Sequence, residues 1–134
     1  MATVKLISVE EASPEIKQVY DDIRATRQSD FINNAWRAMA NHPELLALIW
    51  YKAKAIMGPG GALDPATKEM IYLAVSIANG CEYCIHSHTH FARQKGMNQA
   101  QYQELLDIIG LATENDQYIT AMQVPVDEEF KADR

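Results

Sequence analysis

The sequence predicts an all-α protein that forms a single domain, residues 1–134, of about six or seven helices. Three observations support this prediction. Capping residues followed directly by proline, a common helix start, occur at Ser13-Pro14 and Asp64-Pro65. Apolar residues then recur at helical spacing, whereas the alternating pattern of strands hardly occurs. A chain of 134 residues with 48% hydrophobic residues can also bury about two-thirds of its unfolded surface, so folding requires neither a disulfide nor a metal.

The first half of the chain contains three predicted helices. The first begins after Ser13, and its apolar face is formed by Ile16, Val19, Tyr20 and Ile23. A short second helix is predicted over residues 35–42. Pro43 begins the third helix, which we expect His42 to cap at its start and Gly58 to end as a C-cap.

A fourth helix is predicted to begin at Pro65, and it is apolar on nearly all sides from Met70 to Ala78. A β-branched strand is the alternative, but the length and the caps at both ends favour a buried helix. The segment that follows is predicted to continue as helix to Gly96, a C-cap.

The remainder of the chain is more polar. We expect Asn98 to cap a helix over residues 99–110 and Thr113 to cap a separate final helix. The polar tail that follows contains Val126 and Phe130, which we expect to be its apolar anchors.

The third and fourth predicted helices are apolar on more sides than a chain this short can cover. The sequence therefore predicts an obligate oligomer. An ordinary central position in the core of one chain is the alternative.

Composition excludes several classes of protein. The formal net charge is −6 and the sequence has no block of Lys and Arg, so we expect neither nucleic acid nor an anionic membrane as a partner. The first residues lack the apolar core of a signal peptide, and the longest apolar run, residues 45–51, is too short to span a bilayer. We expect a soluble, cytoplasmic protein.

Residues 79–96 hold both cysteines of the chain and three of its four histidines. On a helix, Cys84 and His88 are four residues apart and lie on one face, and Cys81 lies one turn earlier on nearly the same line. These three residues form what we call the Cys–His stripe. Cysteine and histidine are the side chains used for metal binding and for redox chemistry, so the segment is the candidate functional site.

A metal site is one interpretation of the stripe. It supplies three soft ligands, whereas a closed zinc site needs four, and the sequence has no second Cys or His pair. His86 and His90 lie on the opposite side of the same helix, and the alternative to a metal role for them is a solvated or interface face. The sequence predicts no metal and no cofactor.

Redox chemistry suits the spacing of Cys81 and Cys84 better. A structural disulfide across so short a loop would constrain the unfolded chain very little. Each thiol can instead attack the disulfide or sulfenic acid formed by the other, and a helix N-terminus lowers the pKa of a nearby thiol. By that argument Cys81, nearer the helix start, is the stronger nucleophile. Two buried cysteines that are adjacent by chance remain the alternative.

Glu69 lies in the first turns of the fourth predicted helix. It can be an acid that interacts with the helix macrodipole. Alternatively, if the fourth and fifth helices pack antiparallel, Glu69 approaches His88, and the two form a proton relay to the cysteines. In that arrangement we expect burial to raise the pKa of Glu69 towards neutrality.

The pattern of Glu69, a Cys-Glu-Tyr-Cys motif at 81–84 and His88 resembles the AhpD-like alkylhydroperoxidase branch of the carboxymuconolactone decarboxylase superfamily. The resemblance extends over essentially the whole chain, including the HPELL and LDP segments and the VDEEF tail. It implies an all-helical fold that assembles as trimers or hexamers. It also implies an antioxidant enzyme that reduces organic hydroperoxides with electrons from a dihydrolipoamide- or thioredoxin-like dithiol, or that donates electrons to a peroxiredoxin.

Carried over to this chain, the resemblance makes Cys84 the thiol that attacks peroxide and Cys81 the proton donor and resolving thiol, the two forming a redox disulfide. Glu69 and His88 become the proton relay. Tyr83 stands where the better-studied alkylhydroperoxidase has a histidine, which leaves the peroxidase partner open.

Two other functions remain to be distinguished. The lactone decarboxylase that gives the superfamily its name lacks the paired cysteines, so their presence here argues against that activity. A redox sensor or binding module of the same fold would react with hydroperoxide once, whereas an enzyme supplied with a dithiol turns over.

Overall fold

The computed structural model describes residues 1–131 and confirms the all-α prediction, with no β-strand among those residues. The elements in chain order are α1 (Pro14–Arg27), α2 (Asn34–Met39), α3 (Pro43–Met57), α4 (Pro65–Ala78), α5 (Glu82–Gln94), α6 (Gln99–Ala121) and a short 3-10 helix (Glu128–Lys131). Within the described chain, none of these helices combines the length and the apolar character that crossing a bilayer requires.

The predicted caps explain where the helices begin. Ser13 accepts a hydrogen bond from Ile16 N–H at the start of α1, and Asp64 accepts one from Thr67 N–H at the start of α4. His42 Nδ1 accepts from Leu45 N–H at 3.0 Å, which confirms the predicted cap of α3. Each side chain satisfies a backbone donor that the first turn of a helix leaves unpaired.

The helices fall into two compact units, residues 1–61 and a second unit that begins at Ala62. In the N-terminal unit α3 packs against α1 and α2. The predicted apolar face of α1 is buried there, and Tyr20, Ile23 and Leu46 are fully enclosed. The rings of Trp36 and Trp50 meet edge to face with centroids 5.4 Å apart.

The second unit is built around α4, which packs against α5 and α6. Only a short turn joins α4 to α5, and Gly80 in that turn has a φ of +67°, a left-handed conformation that favours glycine. The C-cap residue of α5 is Lys95 rather than the predicted Gly96, which follows it with a left-handed φ of +107°. The hairpin of α4 and α5 carries all four predicted site residues.

The end of the chain differs from the prediction. Thr113 does not cap a separate helix, because α6 continues without a break from Gln99 to Ala121, and the Thr113 hydroxyl donates to Ile109 O at 2.8 Å within it. A single interior glycine such as Gly110 costs only about 1 kcal/mol, which the surrounding helix formers offset. The two expected anchors are also wrong, since Val126 and Phe130 are both exposed in the described chain.

Candidate active site

The turn between α4 and α5 places the two cysteines. Cys81 is the N-cap residue of α5, and its backbone N–H donates to Ser76 O at 3.0 Å near the end of α4. Cys84 follows in the first helical turn, and the two are joined by a disulfide with Cα atoms 5.2 Å apart. Both residues are partly exposed.

The Cys81 sulfur also lies at the N-terminus of α5. Its Sγ accepts a hydrogen bond from Cys84 N–H at 3.3 Å. A donor of this kind, together with the positive end of the helix dipole, stabilises negative charge on Cys81 when the disulfide is open.

Glu69 lies beside His88, although the two are 19 positions apart in the sequence. Glu69 Oε2 and His88 Nδ1 are 2.6 Å apart, and Glu69 is only 3% exposed. His88 follows Cys84 by four residues on α5, which places the two residues on the same face of the helix. The structure therefore brings the predicted carboxylate to the imidazole, on the helix whose first turn carries the disulfide.

Lys95 is the residue of this cluster that sequence reasoning missed. Its Nζ donates to Glu69 Oε1 at 2.6 Å, so that each carboxylate oxygen has its own partner. A signal was present, because Lys95 follows His88 by two helical turns and so continues the same face of α5. At the sequence level it was only a cation near a helix end.

The pKa of Glu69 is lowered, which contradicts the expectation that burial would raise it. Burial does favour the neutral acid, but the hydrogen bonds from His88 and Lys95 and the charge of Lys95 outweigh it. Glu69 is therefore a carboxylate at neutral pH and accepts both hydrogen bonds. His88 then carries its proton on Nδ1, which leaves Nε2 as the basic nitrogen when the ring is neutral.

Aromatic side chains fix the plane of the His88 ring. Tyr72 stacks on it with centroids 3.7 Å apart and an angle of 22° between the planes. Phe91 meets it edge to face at 6.1 Å. Sequence reasoning did not identify these contacts, and they leave the imidazole little freedom to rotate.

The other two histidines of the segment lie away from this cluster. His86 and His90 are exposed, and the ring of His90 lies edge to face with Phe91 at 5.6 Å. Over residues 1–131 the structure contains no group of three or more His, Cys, Asp or Glu side chains placed to hold a metal ion.

The fold and this hairpin define a class of protein. Residues 43–127 match the model of the carboxymuconolactone decarboxylase family, and the chain belongs to that family. Within the family it is AhpD-like. It is 58% identical to the alkylhydroperoxidase AhpD core from Rhodospirillum rubrum, whose crystal structure superimposes with a TM-score of 0.96 over 98% of both chains.

Two curated relatives are more distant. The (R)-2-haloacid dehalogenase of Pseudomonas putida is 30% identical over 116 residues, which cover 78% of this chain and 35% of that enzyme. Uncharacterized protein 4 in the cox locus of Paracoccus denitrificans is 39% identical over 46 residues, 34% of this chain and 41% of that protein. The matched part of the chain thus spans less than half the length of either relative.

Proposed function

We propose that this protein is a thiol-dependent peroxidase or disulfide oxidoreductase that reduces organic hydroperoxides with Cys81 and Cys84. The observation that supports it most is the arrangement on α5, where a disulfide in the first turn is followed one turn later by His88 paired to a buried carboxylate. A thiol pair with an adjacent oriented base is what nucleophilic thiol chemistry requires.

In the first step the reduced Cys84 thiol loses its proton to His88 Nε2. The thiolate attacks the terminal oxygen of the hydroperoxide, the O–O bond breaks, and the oxygen remains on sulfur as sulfenic acid. The departing alkoxide takes the proton back from the imidazolium and leaves as an alcohol. Glu69 stabilises the imidazolium through Nδ1 and holds the ring in the productive tautomer.

In the second step Cys81 attacks the Cys84 sulfur. The S–S bond forms, the S–O bond breaks, and the hydroxyl leaves as water with the Cys81 proton. A dithiol then reduces the disulfide by thiol exchange and is itself oxidised to a disulfide. The N–H of Cys84 stabilises Cys81 whenever it carries negative charge, as resolving thiol or as leaving group.

The electron donor is a dihydrolipoamide- or thioredoxin-like dithiol. As a disulfide oxidoreductase the protein would instead pass these electrons to a peroxiredoxin. The working form is a homo-oligomer, a trimer or hexamer, in the cytoplasm. Its role is antioxidant defence against organic hydroperoxides.

A thiol count by mass spectrometry tests the proposal. The reduced protein is given one equivalent of an organic hydroperoxide, and we expect two free thiols to disappear with no oxygen retained. Turnover with added dihydrolipoamide then separates an enzyme from a sensor, because a sensor consumes one equivalent and stops. Retention of both thiols after the hydroperoxide is added would refute the peroxidase function.

A further inference from the structure

The contact between Lys95 and Glu69 is unusual for a lysine at the end of a helix. The Lys95 side chain is one-third exposed, yet its ammonium reaches a carboxylate whose own side chain is 4% exposed. The carboxylate already has a partner, because His88 occupies its other oxygen. From the elements packed against α4, the titratable or charged groups in contact with Glu69 are His88 and Lys95.

A purely structural role explains this contact less well. A cation in the last turn of a helix stabilises it through the macrodipole, and Arg93 already provides one in α5. Arg93 lies over the ring of Tyr102, with its guanidinium carbon 5.1 Å from the ring centroid. Lys95 instead extends towards Glu69, the buried partner of His88. Its position suggests that it acts on the Glu69–His88 pair.

We propose that Lys95 is a positioning residue of the site, whose ammonium keeps Glu69 ionised and thereby holds His88 with its proton on Nδ1 and its lone pair on Nε2. The catalytic consequence rests on the proposed function, since it concerns the base that activates Cys84. The tautomer itself does not depend on what the protein reduces.

The position of the proton between Glu69 and His88 depends on the charge of the carboxyl group. Burial by itself favours the neutral carboxyl group. A protonated Glu69 would donate its hydrogen to His88 Nδ1, and the neutral ring would then carry its own proton on Nε2. In that tautomer the nitrogen available to the thiol is a donor and can no longer accept a proton. Lys95 prevents this exchange by stabilising the charged carboxylate.

Lys95→Met tests the catalytic part. The rate of thiol oxidation by hydroperoxide should fall on the acid side of its pH profile, and we expect this acid limb to move to higher pH by about one unit. The reason is that a neighbouring cation lowers the pKa of a carboxyl group by that order. Lys95→Arg keeps the charge and should leave the limb in place. Arg93→Met removes a cation from the same helix end without touching Glu69, and it should behave as the wild type.

The tautomer of His88 gives a readout that needs no activity. Its two ring nitrogens are distinguished by ¹⁵N NMR, and we expect Nδ1–H in the wild type and in Lys95→Arg, with Nε2–H gaining population in Lys95→Met. A change of tautomer in a protein that shows no peroxidase turnover would support the role of Lys95 and refute the peroxidase function.

Two results would overturn the proposal. One is a folded Lys95→Met variant with the wild-type acid limb and the wild-type tautomer. The other is Nε2–H as the main neutral tautomer of the wild-type protein, a measurement that needs no variant. If Lys95→Met fails to fold, Lys95→Gln replaces it, because glutamine keeps a hydrogen-bond donor without the charge. The acid limb and the His88 tautomer are then measured in that variant.

Discussion

Glu69 on α4 and His88 on α5 are joined by a 2.6 Å contact between Oε2 and Nδ1. The Cys81–Cys84 disulfide lies at the start of α5, in the same hairpin. The carboxylate is buried and ionised, and its second oxygen accepts from Lys95. The contact holds the His88 ring in a defined orientation.

The order of attack by the two thiols can be read from single variants. We expect Cys84→Ser to abolish peroxide consumption, whereas Cys81→Ser reacts once and traps a sulfenic acid on Cys84, because only the attacking thiol is needed for the first step. A dimedone-type probe with mass spectrometry locates the acid. The position of Cys81 at the start of α5 favours the reverse order. A sulfenic acid on Cys81 in Cys84→Ser, formed at the wild-type rate, would establish that reverse order.

The relay is tested by Glu69→Gln and His88→Gln. Each variant should fold and lose on the order of 10²-fold or more in the rate of thiol oxidation, the usual scale for a general base. The double variant should lose much less than the product of the two factors, because Glu69 acts through His88. Full activity in Glu69→Gln would leave this carboxylate a structural acid.

The lowered pKa of Glu69 also predicts how stability depends on pH. The folded protein holds the Glu69 proton less tightly than the unfolded chain, whose ordinary value is 4.5. Ionised Glu69 therefore contributes stability that is fully present above pH 4.5 and is lost as the pH falls through the lower, folded-state pKa. Urea unfolding of the wild type and Glu69→Gln should show a difference in unfolding free energy that shrinks below pH 4.5. A difference that stays constant down to acid unfolding would contradict the predicted shift.

We expect copies of this chain to associate through their exposed apolar surface. Exposed apolar side chains lie on α3, α4 and α6, among them Leu48, Ile56, Ile71, Val75, Leu111 and Tyr118. Burying them between copies removes this apolar surface from water. We expect sedimentation at micromolar concentration to give a trimer or hexamer of the 15.1 kDa chain. A single species of monomer mass would rule it out.

The continuity of α6 gives a matched pair of stability variants. Asn98 makes both hydrogen bonds of a capping box with Gln101, so Asn98→Ala should cost about 1 kcal/mol in the free energy of unfolding. Thr113 lies within the helix, where alanine has the better propensity, so Thr113→Ala should be neutral or slightly stabilising. Equal losses in chemical denaturation would mean that Thr113 acts as a cap after all.

The sequence by itself determined most of the helix starts and the stripe of Cys81, Cys84 and His88. Both depend on interactions within a few residues, since a cap bonds to the next turn and a helix places every fourth side chain on one face. The same local reasoning failed at Thr113. Helix formation is cooperative, so the weak stop signal at this position does not end α6.

Only the tertiary structure decided what surrounds Glu69. Its neighbours His88 and Lys95 come from another helix and the turn that ends it, and the sequence could propose the first contact only on condition of antiparallel packing. The direction of its pKa depends on the balance between burial and those two partners. Desolvation can be anticipated from apolar neighbours along the chain, but an opposing charge acts through space, and its position is known only once the helices have packed.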